Sequence, residues 1–246
     1  MTAEYHLLSY EDYNLHARQY ESGARQAAME KGITVIIDVF RASSTILELL
    51  DAGARVVPVT TIDEAMSSRF STFVKVGEDE GVQLGNFDFD NSPVMIHANK
   101  DQFRDRDVVI RTTNGTRGIL AAQGSHQIIV GSFRNFHAVV NYCVKALEQN
   151  FPVSFVGMGT LEKSRIEDDY CARMFVISVL EELGETELLE DLKINGNNPW
   201  NRDWQTEIMD DRGDTDKVHD YKFSLHLDET PLVPVYNPST GYLDLY

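Results

Sequence analysis

Residues 35–57, VIIDVFRASSTILELLDAGARVV, hold an apolar β-branched run, a polar turn, a helical pattern and a second β-branched run. Residues 108–130, VVIRTTNGTRGILAAQGSHQIIV, lie over them without a gap, so that Ile46-Leu47 falls on Ile119-Leu120. Each stretch reads as a strand–helix–strand unit with its polar turn at the carboxyl end of the first strand. Any two such units share this pattern, so the register leaves both duplication and coincidence open. Either way, two polar strand-to-helix turns occupy equivalent places.

The alternation continues outward from these units. ITVIIDVF (33–40), ARVVPV (54–59), TFVKVGE (72–78), RDVVIRT (106–112), HQIIVG (126–131) and VSFVGMG (153–159) read as strands. Helices are expected over 43–53, 62–70, 115–123, 133–150 and 166–184. Continuous apolar strands separated by helices predict a largely parallel sheet covered on both faces, an α/β class with α/β/α layers. The acidic segment 185–220 reads as solvated loops with short helices, and KFSLHL (222–227) with PLVPVY (231–236) as a closing pair of extended segments.

Composition narrows the function. The 246 residues include 39 acidic and 22 basic side chains, a formal net charge of −17. Such a chain repels phosphate backbones and anionic membranes, which argues against nucleic acid or a membrane as partner. A small anion stays compatible, because a local arginine and a metal ion override the global field. Two cysteines, Cys143 and Cys171, make no disulfide framework. With no signal-peptide pattern and no apolar segment of membrane-spanning length, a cytoplasmic protein is expected.

In open parallel sheets, ligands bind beyond the carboxyl ends of strands, where turns lead into helix N-termini. Four polar turns stand at such ends. The first carries Asp38, Arg41, Ser43, Ser44 and Thr45. Helix N–H groups, the hydroxyls and a bidentate guanidinium suit phosphate oxygens. Asp38 would repel them unless it pairs with Arg41, holds a cation or acts as a nucleophile, and Ser43 is also a natural helix cap. The second turn carries Glu78 and runs on through GNFDFDNSP (85–93), with Asn91 and Ser92. The third holds Asn114, Gly115, Thr116 and Arg117, where glycine permits close backbone approach. The fourth holds Asp168 and Asp169 just ahead of Cys171. Magnesium typically takes one or two carboxylates plus waters and substrate phosphate oxygens, a set these turns can supply.

Taken together, DVFRASST (38–45), GNFDFDNSP (85–93), TTNGTRGIL (112–120), GSFRNFHAVV (131–140) and IEDDYCA (166–172) resemble the magnesium-dependent 2-phosphosulfolactate phosphatases. Their order and spacing agree from about Ile33 to Glu182, and LHLDETPLVPV (225–235) is similar to the family's closing segment. The resemblance implies one domain over 1–246, with similar lobes of about 1–100 and 101–246 and the site between them. It implies hydrolysis of 2-phosphosulfolactate to sulfolactate and phosphate in coenzyme M biosynthesis, with a small phosphorylated organic acid as substrate and a homodimer as a possible assembly. In catalytic roles it places Asp38, Arg41, Asn114 and Cys171. On phosphate or substrate it places Ser43, Thr45, Asn91, Ser92, Gly115, Thr116, Ser132 and Asn135, and the reading of the first and third turns adds Ser44 and Arg117 as phosphate donors. It also brings Glu78 and one of Asp168 and Asp169 into the site, so magnesium is expected on Asp38 with help from Glu78 or from Asp168 or Asp169. Two departures stand out. Asp79-Glu80-Gly81 occupies the family's Arg-Gly-Gly after Gly77-Glu78, and Asp90 stands where the family has glycine. They point toward a less anionic substrate or a lost activity. A phosphatase of another small monoester and a non-catalytic anion-binding relative are therefore the alternative readings. Asp38 is either metal ligand or nucleophile. The haloacid-dehalogenase phosphatases carry a second aspartate two positions after theirs, and here that position is Phe40.

Overall fold

A computed structural model describes residues 9–10, 13–161, 163–185, 189, 205–206, 208–209 and 217–246. In chain order the elements are β1 (Ser9–Tyr10), β2 (Leu15–Gln19), α1 (Tyr20–Met29), β3 (Ile33–Ile37), α2 (Ser44–Asp51), β4 (Arg55–Val59) and α3 (Ile62–Ala65). Then come β5 (Val74–Asp79), β6 (Val82–Gln83), α4 (Pro93–Ala98), β7 (Asp107–Arg111), α5 (Gly115–Ala121), β8 (Gln127–Gly131) and α6 (Phe136–Glu148). The chain closes with β9 (Val153–Gly157), α7 (Ile166–Glu182), α8 (Val218–Ser224), β10 (Pro234–Tyr236) and β11 (Leu243–Leu245). The class is α/β, as the alternation predicts.

The strands form one mixed sheet in the order β1-β2-β9-β3-β8-β10-β11-β4-β7-β5-β6. Two parallel blocks stand in it: β2, β9, β3 and β8 pair in parallel, and so do β4, β7 and β5. The hairpin of β10 and β11 joins them through antiparallel pairings to β8 and β4. The two similar units therefore trade strands. Unit one runs from β3 through α2 to β4, and unit two from β7 through α5 to β8, so each unit's first strand pairs with the other's second. Each block draws strands from both halves of the chain. The reversals through the hairpin send the blocks in opposite senses along the sheet.

Burial follows from the two-sided covering. All five residues of β3 are buried: Ile33, Val35 and Ile37 pack with Phe136, Val140 and Phe175 of α6 and α7, while Ile36 faces Ala24, Ile46 and Ile119 of α1, α2 and α5. A third cluster sets Val57, Val59 and Val109 against Ala65, Phe70 and Phe87. A strand buried on both faces has no polar alternate, and that is why these runs read as continuous apolar sequence.

Two expectations need correction, and two N-terminal elements add to those read from the sequence. KFSLHL is not a strand, because Tyr221, Ser224 and Leu225 are the buried positions and their i, i+3, i+4 spacing is helical. Lys222–Ser224 accordingly ends α8, and PLVPVY pairs with β8 and β11 instead. The expected helix over 62–70 is the four-residue α3 followed by a 3₁₀ turn at Ser68–Phe70. The N-terminal β2 and α1 escape an apolar-run reading because Leu15 is the one fully buried residue of β2. Most of the acidic segment 185–220 lies outside the described residues.

Candidate active site

The turns beyond β3, β5, β7 and β9 converge on one cavity of about 440 Å³. Asp38, Phe40 and Arg41 line it from the first turn, Glu78, Glu80 and Gly81 from the second, and Thr113 and Asn114 from the third. Thr160, Leu161 and Arg165 come from the segment before α7, Asn91 from before α4, and Lys217 from before α8. A larger hollow of about 680 Å³ lies around Lys75, Asp88, Arg104 and Arg106 and shares no residue with it. The chemistry-bearing turns all meet in the smaller one.

The first turn is held by reciprocal hydrogen bonds. The Ala42 N–H donates to Asp38 Oδ1 at 3.4 Å, and the Asp38 N–H donates to Ser43 Oγ at 3.0 Å. Ser43 thus anchors the strand end and does not cap α2, whose first residue follows a wide helical turn at Val39–Ser43. Gly115 presses from the other unit: a Cβ there would stand 2.5 Å from Ala42 Cβ and 2.9 Å from Asp38 Oδ2. Only glycine lets the two equivalent turns meet this closely. Burial pushes the Asp38 carboxyl up to about 7 and the charge of Glu78 adds to the rise, against the backbone N–H groups of Ala42 and Gly115.

Glu78 is 5% exposed. Its Oε1 accepts the Thr113 N–H at 2.6 Å, and its Oε2 accepts the Thr113 hydroxyl at 2.9 Å and the Gly81 N–H. Asp38 and Glu78 are both buried, both line the cavity, and the charge of one raises the pKa of the other, so together they supply the one or two protein carboxylates that a magnesium ion typically takes.

The other two acidic residues expected on the metal do different work. Asp168 accepts the Val39 N–H at 2.8 Å and the Gly159 N–H at 2.9 Å, which ties the Asp38 turn to the end of β9. Burial, then the charges of Asp38 and Glu167, push its carboxyl well above the usual range. Asp169 accepts from Gln19 at 2.9 Å and from Ser164, and does not line the cavity. Among the described residues no three His, Cys, Asp or Glu side chains form a metal cluster.

Arg41 does not pair with Asp38. Its Nη1 donates to Asp90 at 2.7 Å and to Asp220 at 3.2 Å, and the guanidinium is almost wholly buried. Asp220 also accepts from the Ser92 hydroxyl at 2.6 Å, while Ser92 Oγ accepts the Met95 N–H and caps α4. A clamp of two carboxylates therefore neutralises the arginine expected to bind phosphate. One of them, Asp90, is the residue that departs from the family's glycine.

The remaining candidates divide plainly. Asn114 and Asn91 line the cavity. Asn114 Oδ1 accepts the Leu161 N–H at 3.4 Å, which leaves its amide N–H donors, and Asn91 Oδ1 is buried without a hydrogen bond. Ser44 donates to the Val39 carbonyl, Thr116 bonds back to Thr112, and Thr45 Oγ1 is buried without a hydrogen bond; none of the three lines the cavity. Ser132 and Asn135 form a capping box before α6, with Asn135 also donating to the Val130 and Leu232 carbonyls. Arg117 lies outside the cavity, paired with Glu21 at 2.8 Å. Cys171 is fully buried in the core, where burial first and the Asp168 charge second hold its thiol protonated; a catalytic role does not fit this place. Sequence reasoning missed Arg165, Lys217, Thr113 and Thr160. The last two stand beside recognised turns, whereas Arg165 and Lys217 are isolated bases in polar sequence.

With this geometry in view, comparison with known proteins is decisive. The model of the 2-phosphosulpholactate phosphatase family matches residues 19–238. The chain belongs to that family. Its relatives include a probable 2-phosphosulfolactate phosphatase of Clostridium acetobutylicum, 31% identical over 170 residues, 68% of this chain and 70% of that one. Another, of the same printed name, comes from Caldicellulosiruptor saccharolyticus, 35% identical over 171 residues, 68% and 69% of the two chains. The family is one of phosphoric monoester hydrolases, as the motifs imply. No helix among the described residues of this family member is long and apolar enough to cross a membrane.

Proposed function

We propose that the chain is a magnesium-dependent phosphatase acting on 2-phosphosulfolactate or a closely related phosphorylated hydroxy acid, the first of which would place it in coenzyme M biosynthesis. The observation that carries this reading is that the buried carboxyls of Asp38 and Glu78 line one cavity, with Asp38 pushed up to about 7. In the proposal Asp38 and Glu78 hold Mg²⁺, and Asp38 is a metal ligand. When bound, magnesium neutralises charge developing on the phosphoryl oxygens.

The protein's own groups do the rest. Asp168, through its two backbone hydrogen bonds, fixes where Asp38 points. The Asn114 amide presents N–H donors to phosphoryl oxygens. Thr113 orients Glu78 through both its N–H and its hydroxyl. Phe40 and Leu161 bring apolar surface to a cavity that is otherwise polar, limiting water around the ester. Hydrolysis then splits the P–O bond, with water supplying the oxygen to phosphate and a proton to the released hydroxyl.

The test is phosphate release from 2-phosphosulfolactate and a panel of small monoesters, with magnesium and then with EDTA. Release that needs magnesium and is lost in Asp38→Asn supports the reading. Tight phosphate binding without turnover of any ester would instead make this an anion-binding relative.

A further inference from the structure

Among the described residues three basic side chains line the cavity, Arg41, Arg165 and Lys217, and they are not equivalent. Arg41 and Lys217 share the carboxylates of Asp90 and Asp220: Arg41 at 2.7 and 3.2 Å, and Lys217 at 3.6 Å from Asp90 while also reaching the Gly81 carbonyl. Two positive and two negative charges cancel there. Arg165 is different. Its Nε donates to the Thr160 hydroxyl at 2.9 Å, and among the described residues no carboxylate lies within ion-pair distance of its guanidinium. It is half-buried at the start of α7, and it lines the cavity together with Thr160. Opposing it in sign, Glu80 is exposed and lines the same cavity from the second turn. One fork of donors is thus available to an anion, and a carboxylate discourages another.

We propose that Arg165 binds the one anionic group a substrate carries besides its phosphoryl, so that this chain prefers a phosphate monoester bearing a single further carboxylate or sulfonate. The inference rests on the phosphatase reading above and deepens it. The phosphoryl group goes to the Asp38–Glu78 side, where the phosphatase reading puts magnesium. The second anion goes to Arg165, whose planar fork matches a carboxylate or sulfonate edge. 2-Phosphosulfolactate carries both a carboxylate and a sulfonate beyond its phosphate. In this cavity its third anionic group meets the neutralised Arg41 cluster or the Glu80 side, and neither rewards it.

The experiment is steady-state kinetics with magnesium on ethyl phosphate, 2-phospholactate and 2-phosphosulfolactate, for the wild type, Arg165→Gln and Arg165→Lys. Thermal melts confirm that the variants fold. The wild type should have its highest kcat/KM on 2-phospholactate. In Arg165→Gln the ratio of kcat/KM for 2-phospholactate over ethyl phosphate should fall about 10- to 100-fold, the contribution of a charge-assisted pair, and chiefly through KM. Arg165→Lys should recover part of it. An unchanged ratio overturns the assignment of Arg165, and a wild type that favours 2-phosphosulfolactate overturns the single-anion preference. If no ester is hydrolysed, the phosphatase reading fails, and calorimetric titration of 2-phospholactate with magnesium decides this one. Affinity at least tenfold weaker in Arg165→Gln supports it, and equal affinity overturns it.

Discussion

Gly115→Ala tests the contact on which the site is built. The added Cβ would meet Ala42 Cβ at 2.5 Å and Asp38 Oδ2 at 2.9 Å, both inside contact distances that real Cβ atoms adopt. Ala42 is fully buried and its N–H bonds Asp38, so neither neighbour can swing into solvent. Overpacking of this kind costs about 1–3 kcal/mol, and at about 2–4 °C per kcal/mol for a chain of this size the Tm should fall roughly 2–12 °C. Function should suffer more. The two turns must part by the better part of an ångström, and a displacement on the order of 1 Å costs about 100-fold in turnover. Melting curves and phosphate release on the same preparations separate the two effects. Ala42→Gly combined with Gly115→Ala removes the 2.5 Å clash but leaves the one with Asp38. The double variant should therefore regain most of the Tm and only part of the turnover, with a coupling of at least about 1 kcal/mol in stability. A Gly115→Ala protein with wild-type Tm and turnover would refute the close approach of the two turns.

Three further outcomes follow from particular groups. The folded pKa of Asp38, about 7, lies above its unfolded value of 3.8, so the folded state keeps a proton that the unfolded chain has lost. That contribution is fully present below about pH 4 and is lost as pH rises toward 7, on the order of a few kcal/mol at about 1.4 per unit. The metal-free stability difference between wild type and Asp38→Asn should therefore shift against the wild type across that window, and magnesium should restore it at pH 8; a flat difference contradicts the burial of Asp38. Arg134 Nη2 meets Glu48 at 2.6 Å with both side chains buried, so Arg134→Ala should cost about 3 kcal/mol, and a Tm loss under about 2 °C would contradict this. Cys171→Ala should keep wild-type turnover, because the thiol packs in the core away from the cavity; a turnover loss beyond about tenfold at unchanged Tm would return it to the reaction.

Much of this is legible in the sequence. The β-branched runs of β3, β7, β8 and β9 are buried on both faces, so their sequence carries no competing polar pattern. The registered Ile-Leu pairs correctly located α2 and α5 and the two turns that meet at Asp38 and Gly115. The exchange of strands between the units was not legible, because the pairings of β3 with β8 and β4 with β7 are set by partners distant in sequence. Arg41 shows the same limit at the site. Its partner Asp220 lies 179 positions away, and nothing in Asp38-Val39-Phe40-Arg41 says that the arginine turns from the nearby carboxylate. The resemblance implies a catalytic role for Cys171, and its full burial in the core is visible only once α7 packs against the sheet.

The most direct test of the central claim is the magnesium dependence of phosphate release. Protein stripped of divalent cations with EDTA is assayed on 2-phosphosulfolactate and 2-phospholactate, then reassayed as magnesium is restored, with Asp38→Asn in parallel. Release that is absent without the ion, saturates with it, and falls by at least about a thousandfold in the variant is the expected result. Full release in EDTA, or a variant that matches the wild type, would contradict a metal held by Asp38 and Glu78.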